Sequence, residues 1–156
     1  ASGFPLSAVI GTAEIMDLPE VGNMSSTHSA NPFVCAAGHA TLEEINRLDL
    51  VRETERKGRI LFDKLNKLKD EYPDRISWVL GKGLLAALLF KKPDSQEPDS
   101  LIPSIISEKA MQKGVYLIRT GCGTLKLGPP LIMPDEVLIE ALEVLDETLG
   151  EETANT

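Results

Sequence analysis

"RISWVLGKGLLAALLF", residues 75–90, decides the fold. Its two apolar runs, 75–80 and 84–90, have strand length, and Gly81, Lys82 and Gly83 between them supply glycine where two backbones must approach closely. The stretch predicts a pair of strands. Before it, a helical pattern opens at Val51 and carries Gly58, Leu61, Leu65, Leu68 and Tyr72 on one face until "YPD" at 72–74 stops it. Glu53/Lys57, Glu55/Arg59 and Asp63/Lys67 stand four apart with the acid first, which predicts a solvated, charge-paired outer face. After it, "EPDSLIPS" at 97–104 offers caps and an early proline for a helix through about Lys113. "VYLIRTG" (115–121) and "TLKLGPP" (124–130) predict two further strands. A last helix is expected from Pro134 to Leu149, with Leu138, Leu142, Leu145 and Leu149 on one face and Gly150 behind it. The second half is therefore expected to be an α+β unit whose helices cover one face of a small, mostly antiparallel sheet.

The first fifty residues read differently. "PLSAVIG" at 5–11 predicts a short apolar strand, but no sheet partner is visible for it nearby, so its backbone groups need partners elsewhere. "EIMDLPEVGN" at 14–23 turns the chain away with Pro19 and Gly22. From Pro32 to about Leu48, Val34, Gly38, Thr41 or Leu42, Ile45 and Leu48 recur at helical spacing among small alanines. Ahead of this helix stands "SSTHSANPF", residues 25–33. Asn31 and Pro32 suit a helix start, and the hydroxyls before them suit either local capping or an anion resting on free first-turn amides.

The chain has 156 residues and a formal net charge of -8. Such a surface repels a nucleic-acid backbone or an anionic membrane, so neither is expected as a partner. No apolar run approaches the roughly 20 residues that a membrane helix needs. The only cysteines, Cys35 and Cys122, have no metal-ligand spacing, so no metal site is expected and a reducing, cytoplasmic setting is. The opening "ASGFPLSAVIG" lacks an initiator methionine and reads as cut from a longer chain.

Four stretches in order, "SGFPLSAVIGTAEIMD" (2–17), "THSANPFVCAAGHATLE" (27–43), "VLGKGLLAALLF" (79–90) and "TLKLGPPLIMPDEVLIEALEVL" (124–145), resemble the C-terminal portion of class III pyridoxal-phosphate-dependent aminotransferases, the group of the 4-aminobutyrate and ornithine enzymes. The resemblance implies an α/β and α+β architecture, the C-terminal part of a fold type I transferase. Residues 1–48 would be the tail of the large cofactor-binding domain, 49–150 the small α+β domain, and 151–156 a disordered tail. It implies pyridoxal 5'-phosphate as cofactor and transfer of an amino group between an amine or amino acid and a 2-oxo acid, by a homodimer.

The resemblance also places roles on residues. Thr27 corresponds to the threonine that reaches in trans to the phosphate of the partner subunit's cofactor, with Ser26 as a second donor and His28 in a packing or rim role. Lys126 stands where many relatives hold the substrate carboxylate with an arginine, and lysine offers a point charge in place of a planar fork. Arg119 is a back-up cation on the neighbouring strand. The family's Schiff-base lysine precedes the turn that reads "SGFPL" here, so it would lie upstream of Ala1 and the chain alone would be inactive. The alternative is a non-catalytic structural module that self-associates through the 32–48 helix.

Overall fold

A computed structural model describes residues 3–154 of the chain. They form two units that divide between Asp49 and Leu50.

The first unit holds a four-residue helix α1 (Ala13–Met16) and a long helix α2 (Pro32–Arg47). α2 starts where its cap chemistry directs: Asn31 Oδ1 accepts from the amides of Phe33 (3.0 Å) and Val34 (3.4 Å), and Pro32 occupies the first turn. It ends as Asp49 takes a left-handed φ of 47°. Among the described residues of this unit only Gly38 is buried, with Val34, Ala37, Thr41 and Ile45 half-buried beside it. The expected strand at 5–11 is not one. Residues 5–11 join no ladder, because no neighbouring strand in this unit offers amides and carbonyls to pair with. Val9 and Ile10 are accordingly 81% and 95% exposed.

The second unit has a core of its own. α3 (Leu50–Glu71) leads to β1 (Ile76–Lys82) and β2 (Leu85–Phe90), then α4 (Ile102–Gln112), β3 (Ile118–Thr120), β4 (Thr124–Leu127) and α5 (Asp135–Ala154). The four strands form one antiparallel sheet in the order β1-β2-β4-β3. Leu61, Leu65 and Leu68 of α3, Ile106 and Ala110 of α4, and Leu138, Leu142, Leu145 and Leu149 of α5 bury themselves against Ile76, Leu88, Phe90 and Leu125. Each such apolar side chain contributes on the order of 1.5–3 kcal/mol, which the first unit has no counterpart to supply.

The hairpin is tighter than expected. β1 runs on through Gly81 and Lys82, leaving Gly83–Leu84 as a two-residue turn. A Cβ on Gly81 would lie 2.0 Å from the Leu85 carbonyl oxygen, and one on Gly58 would lie 2.8 Å from the Gly83 carbonyl oxygen, so both glycines permit a backbone approach no other residue allows. Asp99, ahead of α4, accepts from the amides of Leu101 (2.9 Å) and Ile102 (3.2 Å).

The tail expected at 151–156 is helical as far as Ala154, and residues 155–156 lie outside the described part. Two ion pairs explain the extension: Glu151 meets Lys113 of the α4 C-terminus at 2.7 Å, and Glu152 meets Lys109. Gly150 sits inside the helix, with Tyr72 Oη 3.3 Å from where its Cβ would be.

Candidate functional site

The first unit presents the Thr27 turn. Ser26 and Ser29 close it: the Ser26 amide donates to Ser29 Oγ at 3.0 Å, the two hydroxyls lie 3.2 Å apart, and the Ser29 amide donates to the Ser26 carbonyl at 3.0 Å. Ala30 follows at φ 54°, a left-handed residue that turns the chain into Asn31. The expectation of free first-turn amides does not hold. Asn31 takes Phe33 and Val34 with its side chain and Cys35 with its carbonyl (2.9 Å), and Pro32 has no N–H. The turn itself still offers an anion the Thr27 hydroxyl, which is exposed and has no hydrogen-bond partner among the described residues. A hydroxyl donor on an exposed turn fits a phosphate oxygen, and Ser26 can add a second while keeping its Ser29 contact, since either hydroxyl can be the donor of that pair. His28 is exposed, which within this unit leaves it the rim role rather than a packing one.

The second unit presents Lys126. β4 alternates, so Leu125 and Leu127 face the helices while Thr124 and Lys126 face the other way. Lys126 is exposed, paired in register with Ala87 and Ile118, and makes no ion pair among the described residues. Arg119 does not support it. Arg119 pairs with Leu125, so the strand's two-residue period points it away from the Lys126 face. Lys126 lines a groove of about 590 Å³ together with Tyr116, Ile118, Pro130, Met133 and Val137.

One wall of that groove is the connection 128–134, and two neighbouring residues of α3 hold it. Arg56 forks onto Asp135, the first residue of α5, and also binds Glu53 of its own helix (2.9 Å). Hydrogen bonds to Asp135 and then Glu53 raise the Arg56 guanidinium above its ordinary range, and the Arg56 hydrogen bond holds both carboxyls below theirs. Lys57 does not join Glu53 on a solvated face, as the spacing predicts. It is 7% exposed and donates to the carbonyls of Met133 (2.7 Å) and Leu131 (3.2 Å). No sequence pattern flags this, because a lysine four residues after a glutamate looks the same whether its stem lies out in water or inward. Glu55 and Arg59 do form the expected pair, at 3.1 Å.

The comparisons with known proteins agree with this layout. The family model described as aminotransferase class-III matches residues 1–149. The 4-aminobutyrate aminotransferase of Mycobacterium leprae (strain TN) is 36% identical over 153 residues, which cover 97% of this chain and 34% of that protein. The mitochondrial acetylornithine aminotransferase of Candida glabrata is 29% identical over 150 residues, 96% of this chain and 33% of that one. The crystal structure of acetylornithine aminotransferase from Elizabethkingia anophelis superposes with a TM-score of 0.80 and 28% identity, covering 91% of this chain and 34% of that chain. The chain belongs to the class III aminotransferases, a pyridoxal-phosphate-dependent family, and its fold is that of the C-terminal part of a fold type I transferase. It spans about a third of the length of the curated relatives it matches.

Proposed function

We propose that the chain supplies the C-terminal part of a transaminase that moves an amino group between an amine or amino acid and a 2-oxo acid. The observation that carries this is the family match over residues 1–149. Residues 1–48 belong to the large domain on this reading, and 49–150 form the small domain, with the helical residues after 150 as its extension. The cofactor, when bound, supplies an electron sink for the substrate. This chain's part is to hold and orient. The Thr27 hydroxyl donates to the phosphate of the cofactor carried by the partner subunit of a homodimer, with Ser26 as a second donor; its lack of any other partner supports this. Lys126 receives the substrate carboxylate as a point charge, and the 4-aminobutyrate and acetylornithine in the relatives' names both carry one.

No lysine of this chain links the cofactor. All of them stand at or after Lys57. Lys57 is committed to two carbonyls, and Lys64, Lys92, Lys109 and Lys113 are ion-paired. Two experiments test the reading. The isolated chain with pyridoxal phosphate should show no absorbance of a lysine-linked cofactor, and a stable covalent adduct on any of its lysines would overturn the assignment. A chimera with this chain in place of the matching third of the Mycobacterium leprae protein should transaminate, and a folded, cofactor-loaded but inert chimera would count against it.

A second reading, self-association of this chain through α2, is favoured by that helix burying only Gly38 while Phe33 and Leu42 stay 82% and 62% exposed. Sedimentation of the isolated chain decides it: a monomer at high concentration removes it.

A further inference from the structure

The β4–α5 connection is poor in donors. Pro129, Pro130 and Pro134 have no N–H. Of the amides it does possess, Met133 donates to the Pro130 carbonyl at 3.0 Å. Such a segment depends on donors from outside to fix its course. Lys57 brings a buried ammonium to it, touching two carbonyls two residues apart.

Burying the charge carries a cost. An ammonium so placed has lost most of its water, and it lies beside the start of α5, the end of a helix that carries partial positive charge. Asp135 and Glu136 in the first turn offset part of this. An apolar side chain of the same length would fill the space without that desolvation cost. What an apolar chain lacks is three donors to aim at the Leu131 and Met133 carbonyls.

We propose that Lys57 is a positioning residue: its ammonium sets the course of the 128–134 connection, and through it the wall of the groove that Lys126 lines. This goes beyond the transaminase reading, and its test requires no turnover. Lys57→Met keeps the stem and removes the donors, while Lys57→Arg restores a cation with donors. The experiment is residue-resolved amide hydrogen exchange on the 156-residue chain. In Lys57→Met the Met133 and Leu138 amides, bonded to Pro130 and Pro134, should exchange at least about tenfold faster, the scale of a lost hydrogen bond to a charged group. The Leu65 and Leu88 amides should keep their wild-type rates. Lys57→Arg should return Met133 and Leu138 most of the way. Equal acceleration at all four positions would reduce Lys57 to general stability and overturn the proposal, as would no change at Met133 and Leu138.

Should Lys57→Met not fold, the wild-type chain decides. With lysine labelled at Nζ, the Lys57 ammonium should exchange its protons with water slowly and couple across hydrogen bonds to the Leu131 and Met133 carbonyl carbons. Exchange as fast as that of the exposed Lys126 ammonium, with no such coupling, overturns it.

Discussion

Arg56 and Asp135 meet in a two-bond fork although 79 residues separate them: Nη1 lies 2.7 Å from Oδ2, and Nη2 lies 2.8 Å from Oδ1. The fork closes α3 onto the first turn of α5, where a carboxylate is also favoured by the helix end. Asp135 and Glu53 are held below their ordinary values of 3.8 and 4.5 by the hydrogen bonds from Arg56. A carboxyl with a depressed folded-state pKa adds stability above its unfolded pKa and loses it as pH falls through the folded one. The melting temperature of the wild-type chain should therefore drop on acidification below about pH 4 more steeply than that of Arg56→Gln. At neutral pH the variant should melt only modestly lower, since the two side chains remain 46% and 37% exposed and solvent screens the pair. Parallel melting curves across the acid range would show that the fork contributes nothing.

Gly58 faces the hairpin turn with no room to spare, its missing Cβ 2.8 Å from the Gly83 carbonyl oxygen. Alanine is the better helix former by about 1 kcal/mol, so an exposed glycine at this place in α3 would be improved by the change. Here the backbone of the turn blocks it. Gly58→Ala should destabilise the chain by about 1–3 kcal/mol in urea unfolding, the overpacking cost exceeding the propensity gain. A stabilised variant would mean that α3 and the hairpin are free to move apart.

The features legible in the sequence were those carried by period and punctuation. Leu61, Leu65 and Leu68 declare the inner face of α3, the glycines at 81 and 83 mark the hairpin, and Asn31-Pro32 marks the start of α2, because each needs only its near neighbours to be read. The family too was legible, since four collinear motifs are local strings. What escaped depended on partners distant in sequence. Lys57 turns inward for carbonyls more than seventy residues away, and Arg56 finds Asp135 across the fold while staying exposed. The strand expected at 5–11 failed for the converse reason: its apolar pattern is real, but the described residues of its unit give it no ladder. Ahead of α2, Asn31 satisfies the first-turn amides that an anion was expected to meet, a use of the cap that the residue types alone left open.

Residues 151–154 continue α5 because Glu151 and Glu152 have lysines to reach. Glu147 joins Glu151 on Lys113, at 3.0 and 2.7 Å, and the Lys113 ammonium is raised above its ordinary range, chiefly by the hydrogen bond to Glu151. A chain ending at Gly150 loses the partners of Lys109 and one partner of Lys113. It should melt below the full chain at low salt, and the gap should narrow as salt screens the pairs. A tail that merely frays would leave the melting temperature unchanged.

The Thr27 hydroxyl, on an exposed turn, has no hydrogen-bond partner among the described residues. In the chimera with the Mycobacterium leprae protein, Thr27→Ala should weaken retention of pyridoxal phosphate by about tenfold to a hundredfold, the scale of one hydrogen bond to a charged group. Thr27→Ser, which keeps the hydroxyl, should recover most of it. Ser29→Ala tests the turn itself: it removes the contacts to the Ser26 amide and hydroxyl, and should weaken retention less than Thr27→Ala because the donor survives while its support loosens. Equilibrium dialysis of the cofactor measures all three, and equal affinity of Thr27→Ala and the parent chimera would remove Thr27 from the phosphate site.

Lys126 stands exposed on the sheet face away from the helices, without an ion pair among the described residues and with Arg119 turned from it. A point charge with three donors binds a carboxylate through one short contact, whereas a guanidinium at the same place can make two parallel ones. Lys126→Arg in the chimera should therefore lower KM for a carboxylate-bearing donor, and Lys126→Met should raise it by about tenfold or more. A carboxylate-free amine provides the control, since neither change should move its KM. If all donors respond alike, Lys126 shapes the groove without reading charge; if only the carboxylates respond, the ammonium is the group that reads them, and a lysine in place of arginine leaves room for amines that carry no carboxylate.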